Sequence, residues 1–254
     1  MAHESSLKVS SRGALTVHVF SSLAALGVDA FVTDRFGGVS VGPYAALNLG
    51  DHVGDDVAAV TENRRRVATA VGVAPERLAI VRQVHGADVA SVEYADPATE
   101  ADALVVDGPN HAAAILVADC VPLVIASPTT RRLAVIHAGW RGLAAGVIAA
   151  AAREVGGDPQ QWRVGVGPSI SAEGYQVGPE VAQHFADIEG AVRDDVGDRS
   201  RVDLRRVALY QLLEVGVAGD HVTLATACTD GGDVFFSDRA ERPCGRFALV
   251  ARWP

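Results

Sequence analysis

A chain of 254 residues, 49% hydrophobic and 21% charged, can bury a large core. Without linker-like, repetitive or low-complexity stretches it reads as one domain over residues 1–254, with 1–12 expected as a flexible tail. A net charge of −9 disfavours a nucleic-acid partner, no apolar run is long enough to cross a bilayer, and no signal-peptide pattern opens the chain.

The three cysteines, Cys120, Cys228 and Cys244, form no C-x-x-C and suit a reducing compartment. The expectation is a cytoplasmic protein, a monomer or weak homodimer, with neither membrane nor nucleic acid among its partners.

In chain order, residues 31–56 form a long Gly/Asn/Asp-rich segment that holds Arg35, Asn48 and His52. Long irregular connections in compact domains are often functional, although a plain surface loop fits as well. "LAIVRQVH" and "ADVASVEY" read as two strands paired around Gly86. "AAAILVADC" is a buried strand that "PLVIAS" extends or follows, and "RRLAVIHAGW" is another. "RGLAAGVIAAAAREVGG" carries apolar residues at helical spacing with glycines past its end, which predicts one helix. "WRVGVGPSI", "HVTLATAC", "VFFSD" and "RFALVARW" read as strands, "GPEVAQHFAD" and "VDLRRVALYQLLEVGV" as amphipathic helices. The fold class is mixed α/β (α+β): mixed sheets in a sandwich with flanking helices.

His85, Cys120 and His137 each end an apolar run. Two imidazoles and a thiolate suit zinc, and three protein ligands leave the fourth position open, as in catalytic sites. Their separations match no local zinc signature, so pattern alone leaves open an ordinary buried thiol and two satisfied histidines. Asp119 reads as a structural hydrogen-bonding residue and Asp107 as turn chemistry. Asp102 is placed either as a structural acid or as the group that orients a metal-bound histidine. Cys228 and Cys244 are taken as bystanders, and Trp140 as a packing residue rather than a base-stacking platform.

Taken together, "RFGGVSVGPYAALNLGDHVGDD", "RQVHGADV", "DALVVD", "ADCVPLVI", "VIHAGWRG", "VGVGPSISAEGYQVGPEV" and "CTDGGDVFFSDR" resemble the laccase-domain-containing family. Its members have been called polyphenol oxidases, purine nucleoside phosphorylases and peptidoglycan-editing factors. The resemblance runs from about residue 30 to the C-terminus. It implies a fold related to the cytotoxic-necrotizing-factor type of cysteine hydrolase, with Zn2+ on His85, Cys120 and His137. Copper is the alternative occupant of that site. The tail departs from the family pattern, with Asp238 and Cys244-Gly245-Arg246 where an aromatic or histidine and a Thr-Gly-Arg are common.

On this resemblance the expected activity is zinc-dependent phosphorolysis of adenosine, inosine and methylthioadenosine, with adenosine deamination. Purine nucleosides and phosphate are then the small-molecule partners. The triad and Arg35 are the expected catalytic residues, and Arg35, Asn48 and Arg141 the expected substrate and phosphate contacts. Gly139 and Gly142 are expected to permit a sharp entry into the following helix, whose N-terminus would favour the anion that Arg141 meets. The alternatives are a metal-free cysteine hydrolase with Cys120 as nucleophile, including a peptidoglycan-editing role, and a copper polyphenol oxidase. Eight histidines without an H-x-H pair argue against a multicopper relay.

Overall fold

A computed structural model describes residues 2–230 and 232–254. Two large mixed sheets face each other. The first has seven strands in the order β1 (His3–Ser5), β15 (Val222–Ala225), β11 (Arg163–Val166), β9 (Val121–Ser127), β10 (Arg132–Ala138), β7 (Ala103–Asp107), β6 (Val89–Ser91). The second has six, in the order β2 (Lys8–Arg12), β3 (Leu15–Val19), β4 (Asp29–Thr33), β16 (Phe247–Arg252), β8 (Ala112–Val117), β5 (Leu78–Ala79). A small third sheet joins β12 (Gln176–Val177), β14 (Ser200–Val202) and β13 (Val192–Asp194).

The strand sequences explain the layering. β8 and β9 are apolar on both faces, the pattern of strands covered on each side. Val124, Ala126, Leu133 and Val135 of the first sheet meet Ile115, Val117, Leu249 and Ala251 of the second in one apolar cluster. Alternate residues Leu123, Ile125, Ile136 and Val164 turn outward, under α4 (Val147–Val155) and α6 (Leu204–Glu214). On the far side α2 (Val57–Val71) seats Val67 and Val71 against Phe31, Ala114 and Val250. The expected sandwich with flanking helices is therefore the observed architecture. Helix ends follow local chemistry: Asp56 and Asp203 accept from backbone N–H groups of the first turns of α2 and α6, caps worth about 1 kcal/mol each. No helix among the described residues is long and apolar enough to cross a membrane.

Several expectations differ from the structure for physical reasons. Residues 3–5 and 8–12 are not a tail; they pair as β1 with β15 and β2 with β3. The two segments around Gly86 do not pair with each other: β5 lies beside β8 and β6 beside β7, in different sheets. "AAAILVADC" and "PLVIAS" likewise belong to different sheets. "VFFSD" is not a strand; Phe235 and Phe236 are apolar because they fill the space between the sheets. The Ala-rich helix is two, α3 (Trp140–Ala145) and α4, broken at Gly146 in the left-handed conformation. The predicted helix at 178–187 is a single turn, α5 (Pro179–Ala182), followed by a 3-10 turn.

Candidate active site

The three donors arrive from separate parts of the fold. Cys120 closes the three-residue link, 118–120, by which the chain leaves β8 in one sheet and enters β9 in the other. His137, near the end of β10, stands opposite Pro122. His85 lies in the segment between β5 and β6, the edge strands of the two sheets. It ends no strand, contrary to the sequence expectation, and its φ of 60° is left-handed. Their ligating atoms all lie within 4.8 Å of one another, and the two imidazoles meet edge-on with centroids 4.7 Å apart.

Asp102 holds this geometry. Fully buried at the start of β7, it accepts at Oδ1 from His137 Nδ1 (2.7 Å) and the His85 N–H (3.0 Å). Its Oδ2 accepts from the N–H groups of Gly86 (2.6 Å) and Val84 (3.2 Å). One carboxylate therefore orients one ring and fixes the strained loop that carries the other. With Asp102 ionised, the His137 proton sits on Nδ1 and Nε2 is left as the ligating nitrogen. Burial opposes the charge on Asp102, but the His137 bond and the loop amides hold its carboxyl below the usual range.

Electrostatics prepare the sulfur. Burial pushes the Cys120 thiol up, yet His137 and His85 outweigh it and bring it down to about 6. Burial pushes His137 down, while the Cys120 thiolate and Asp102 raise it to about 9. The thiolate is the form that ligates a metal or attacks an electrophile. Two imidazoles and a thiolate fit a metal ion of zinc or copper type. Among the described residues this is the one such group.

Gly139 is needed for room rather than for conformation. Its backbone (φ −75°, ψ 168°) is ordinary, but a Cβ there would stand 3.0 Å from both Cys120 Sγ and His85 Cδ2. At Gly142 a Cβ would stand 2.9 Å from the Gly86 carbonyl oxygen, so this glycine lets α3 sit against the His85 loop. The helix α3 is only six residues long, which leaves little dipole to offer an anion.

A cavity of about 1090 Å³ opens beside the donors. Arg64, Arg82, Arg141, Arg239, Arg242 and Arg246 line it, against the acids Asp51, Asp119 and Asp238. In a chain of net charge −9 this is a local positive field suited to an anionic ligand. Tyr175 also lines it, and burial together with the nearby Cys120 pushes its phenol up to about 12, so it stays a neutral donor.

Residues 29–253 match the family model described as multi-copper polyphenol oxidoreductase laccase. The chain belongs to this laccase family. A purine nucleoside phosphorylase of Streptomyces coelicolor is 40% identical over 85% of this chain and 91% of its own. The purine nucleoside phosphorylase YfiH of Escherichia coli is 35% identical over 87% and 92%. Among solved structures, YlmD from Geobacillus stearothermophilus superposes with a TM-score of 0.87 at 30% identity, covering 96% of this chain and 97% of that one. A Neisseria meningitidis protein gives 0.83 at 35% identity, covering 89% and 93%.

In this laccase-family chain the structure brings His85, Cys120, His137, Asp102 and Arg141 together, but not Arg35 or Asn48. The Arg35 guanidinium pairs with Glu241 (2.7 Å), donates to the Ala45 carbonyl and lies over the Phe236 ring. The Asn48 amide is consumed by Gly50 and Asp55 of its own loop and by the N–H of Arg246 from the C-terminal segment. Both were expected at the ligand because their loop looked functional; that loop instead sends Asp51 and His52 to the cavity. Sequence reasoning missed Tyr175 and Arg64, and it set aside the divergent tail. Three arginines in "DRAERPCGR" of an acidic chain were the available signal.

Asp102→Asn keeps the shape but puts a donor where an acceptor is required. Metal affinity should fall about 10- to 100-fold, the usual cost of losing a partner behind a ligand. Competition with a chelator of known affinity measures it. Because the native carboxyl is held below its ordinary value, it stabilises the fold at neutral pH and loses that effect as pH falls. The variant's unfolding curve should therefore be flatter on the acid side.

Proposed function

We propose that this chain is a zinc-dependent purine nucleoside phosphorylase acting on adenosine, inosine and methylthioadenosine, with adenosine deaminase activity. The observation that carries the reading is the arginine-lined cavity beside an open two-histidine, one-cysteine site. The names of the relatives support it.

In the phosphorolytic step an oxygen of inorganic phosphate bonds to ribose C1′, the bond from C1′ to the purine nitrogen breaks, and the purine takes a proton. A bound zinc would supply Lewis acidity at its open position. His85, Cys120 and His137 would hold it, and Asp102 keeps the His137 proton on Nδ1. Arg141 has no carboxylate partner among the described residues; its guanidinium lies 4.3 Å from the Trp140 ring centroid, at the cavity. It is a cation free to meet phosphate. Tyr175 keeps its proton on Oη and can donate to a substrate oxygen or ring nitrogen.

Protein of measured metal content, given adenosine, inosine or methylthioadenosine, should release free base only when phosphate is present. Inosine appearing from adenosine without phosphate marks deamination. No base from any of the three at saturating phosphate would overturn the reading. Arg141→Ala should raise the phosphate requirement about tenfold or more, as loss of a charge-assisted contact does. Arg35→Ala should instead lower the unfolding temperature, because it unfastens Glu241 and Phe236, and should leave the apparent KM for phosphate within about twofold of the parent.

One observation favours a second reading. Cys120, His137 and Asp102 form a thiolate–imidazole–carboxylate series, which is also the arrangement of a metal-free cysteine hydrolase. Metal dependence separates the two.

A further inference from the structure

Asp119 precedes the ligand Cys120, yet its side chain turns away from the donors. Its backbone is left-handed (φ 91°), a conformation that a residue with a side chain adopts only under constraint. The constraint is visible. Oδ1 accepts from Thr229 Oγ1 (2.5 Å) and Ser237 Oγ (2.7 Å), Oδ2 accepts from the Arg239 N–H (2.7 Å), and the carbonyl accepts from the Ile170 N–H (2.9 Å). The carboxylate is buried, and each of its oxygens is engaged.

These bonds tie three segments to the link between β8 and β9, and the segments also bond to one another. Asp230, next to Thr229, accepts from Ser171 N–H (2.8 Å) and Oγ (2.6 Å). Ser171 Oγ in turn accepts from the Gly174 N–H. Arg239 donates from one guanidinium nitrogen to the Gly174 and Gln176 carbonyls, 3.1 Å each, and lies 5.2 Å from the Tyr175 ring centroid. The circuit runs from Asp119 through 229–230, then 171–176, to Arg239 and back. Its inner side is the cavity wall that presents Tyr175 and Arg239. Arg239 has no carboxylate side-chain partner among the described residues, so its charge is open to a ligand.

We propose that Asp119 is a positioning residue that holds Arg239 and Tyr175 in register with the three donors, so that ligation and anion contact occur at one substrate. Its carboxylate grips the backbone N–H of Arg239, which leaves that guanidinium for the cavity. The functional half of this inference rests on the phosphorylase reading above; the positional half does not.

The test uses metal-loaded protein with Asp119→Asn, Arg239→Ala and the double variant. An asparagine has one acceptor oxygen, so either the Arg239 amide or the hydroxyl pair loses its carboxylate. Three results are expected. Metal stoichiometry stays at the parent value. Hydrogen exchange at residues 237–240 accelerates. The phosphorolytic kcat/KM falls about 10- to 100-fold through KM, and Asp119→Asn costs clearly less in the Arg239→Ala background than it does alone.

Losses that multiply in the double variant would overturn the proposal, as would unchanged protection at Arg239. Metal loss with that protection intact would show that Asp119 serves the Cys120 link alone, and would overturn it too. If Asp119→Asn fails to fold, Ser237→Ala removes one of the hydroxyl bonds and is read in the same cycle, with the same deciding outcomes. If the parent shows no phosphorolysis, the functional reading fails by itself. Hydrogen exchange, which needs no substrate, still decides whether Asp119 fixes the wall.

Discussion

Cys120→Ala protein should purify with little metal and no measurable turnover, and the missing metal is the informative half. A cysteine nucleophile and a metal ligand both predict an inactive variant, whereas only a ligand predicts that the ion goes too. His137→Ala and His85→Ala should follow the same course, because three donors fill the site and none is spare. Stripping the parent with a strong chelator should silence it, and zinc should restore it. The stripped protein then exposes the thiolate. Alkylation of Cys120 should rise with pH through a midpoint of about 6, against the ~8.5 of a free cysteine. Bound metal should protect the sulfur from the reagent. Full activity in protein shown to hold no metal would instead support the hydrolase reading, and a covalent adduct of the substrate on Cys120 would establish it.

Gly139→Ala should be nearly as damaging, although it removes no functional group. The added methyl would press on Cys120 Sγ and His85 Cδ2 at 3.0 Å, so one of the two ligands must shift. Overpacking of this kind costs about 1–3 kcal/mol of stability. A ligand displaced by a few tenths of an ångström should also weaken metal binding by about 100-fold, the upper end for a disturbed ligand environment. Metal content by atomic emission and the unfolding temperature would separate the two effects. A variant that folds and keeps the parent's metal affinity would show that the link at 118–120 yields more easily than its contacts suggest.

Much of the frame could be read from the sequence, because apolar run length and period report burial directly. β8, β9, β10 and β16 followed from continuous apolar runs, and α6 from its period and its capping aspartate. What failed was partnership. Segments on either side of Gly86 looked like a hairpin because short loops usually join neighbours, yet here the chain crosses between sheets at that point. Phe235 and Phe236 looked like strand residues because apolar pattern reports burial rather than hydrogen bonding.

At the site, residue type selected His85, Cys120 and His137 as a donor set that geometry brings together. Type could not tell Arg35 from Arg141, since both stand close to paired glycines, Gly37 and Gly38 in one case and Gly139 and Gly142 in the other. Only the fold shows that one is occupied by Glu241 and the other faces the cavity. Asp119 and Asp102 both read as acids near a ligand, and their many backbone partners appear only once distant segments are in place.

The placement of the three donors has a consequence for how the protein comes to life. His137 belongs to one sheet, Cys120 to the crossing between the sheets, and His85 to a strap joining their outer edges. Cys120 and His137 meet at the open end of the β9–β10 hairpin, but His85 reaches them only through the strap, so the three-donor site is not complete until the two halves have closed on each other. An ion held by all three donors would then be captured last in maturation and would act as a rivet through the sandwich. An ion added during refolding should leave the rate of collapse unchanged and slow the reverse reaction, because the halves must release it before they part.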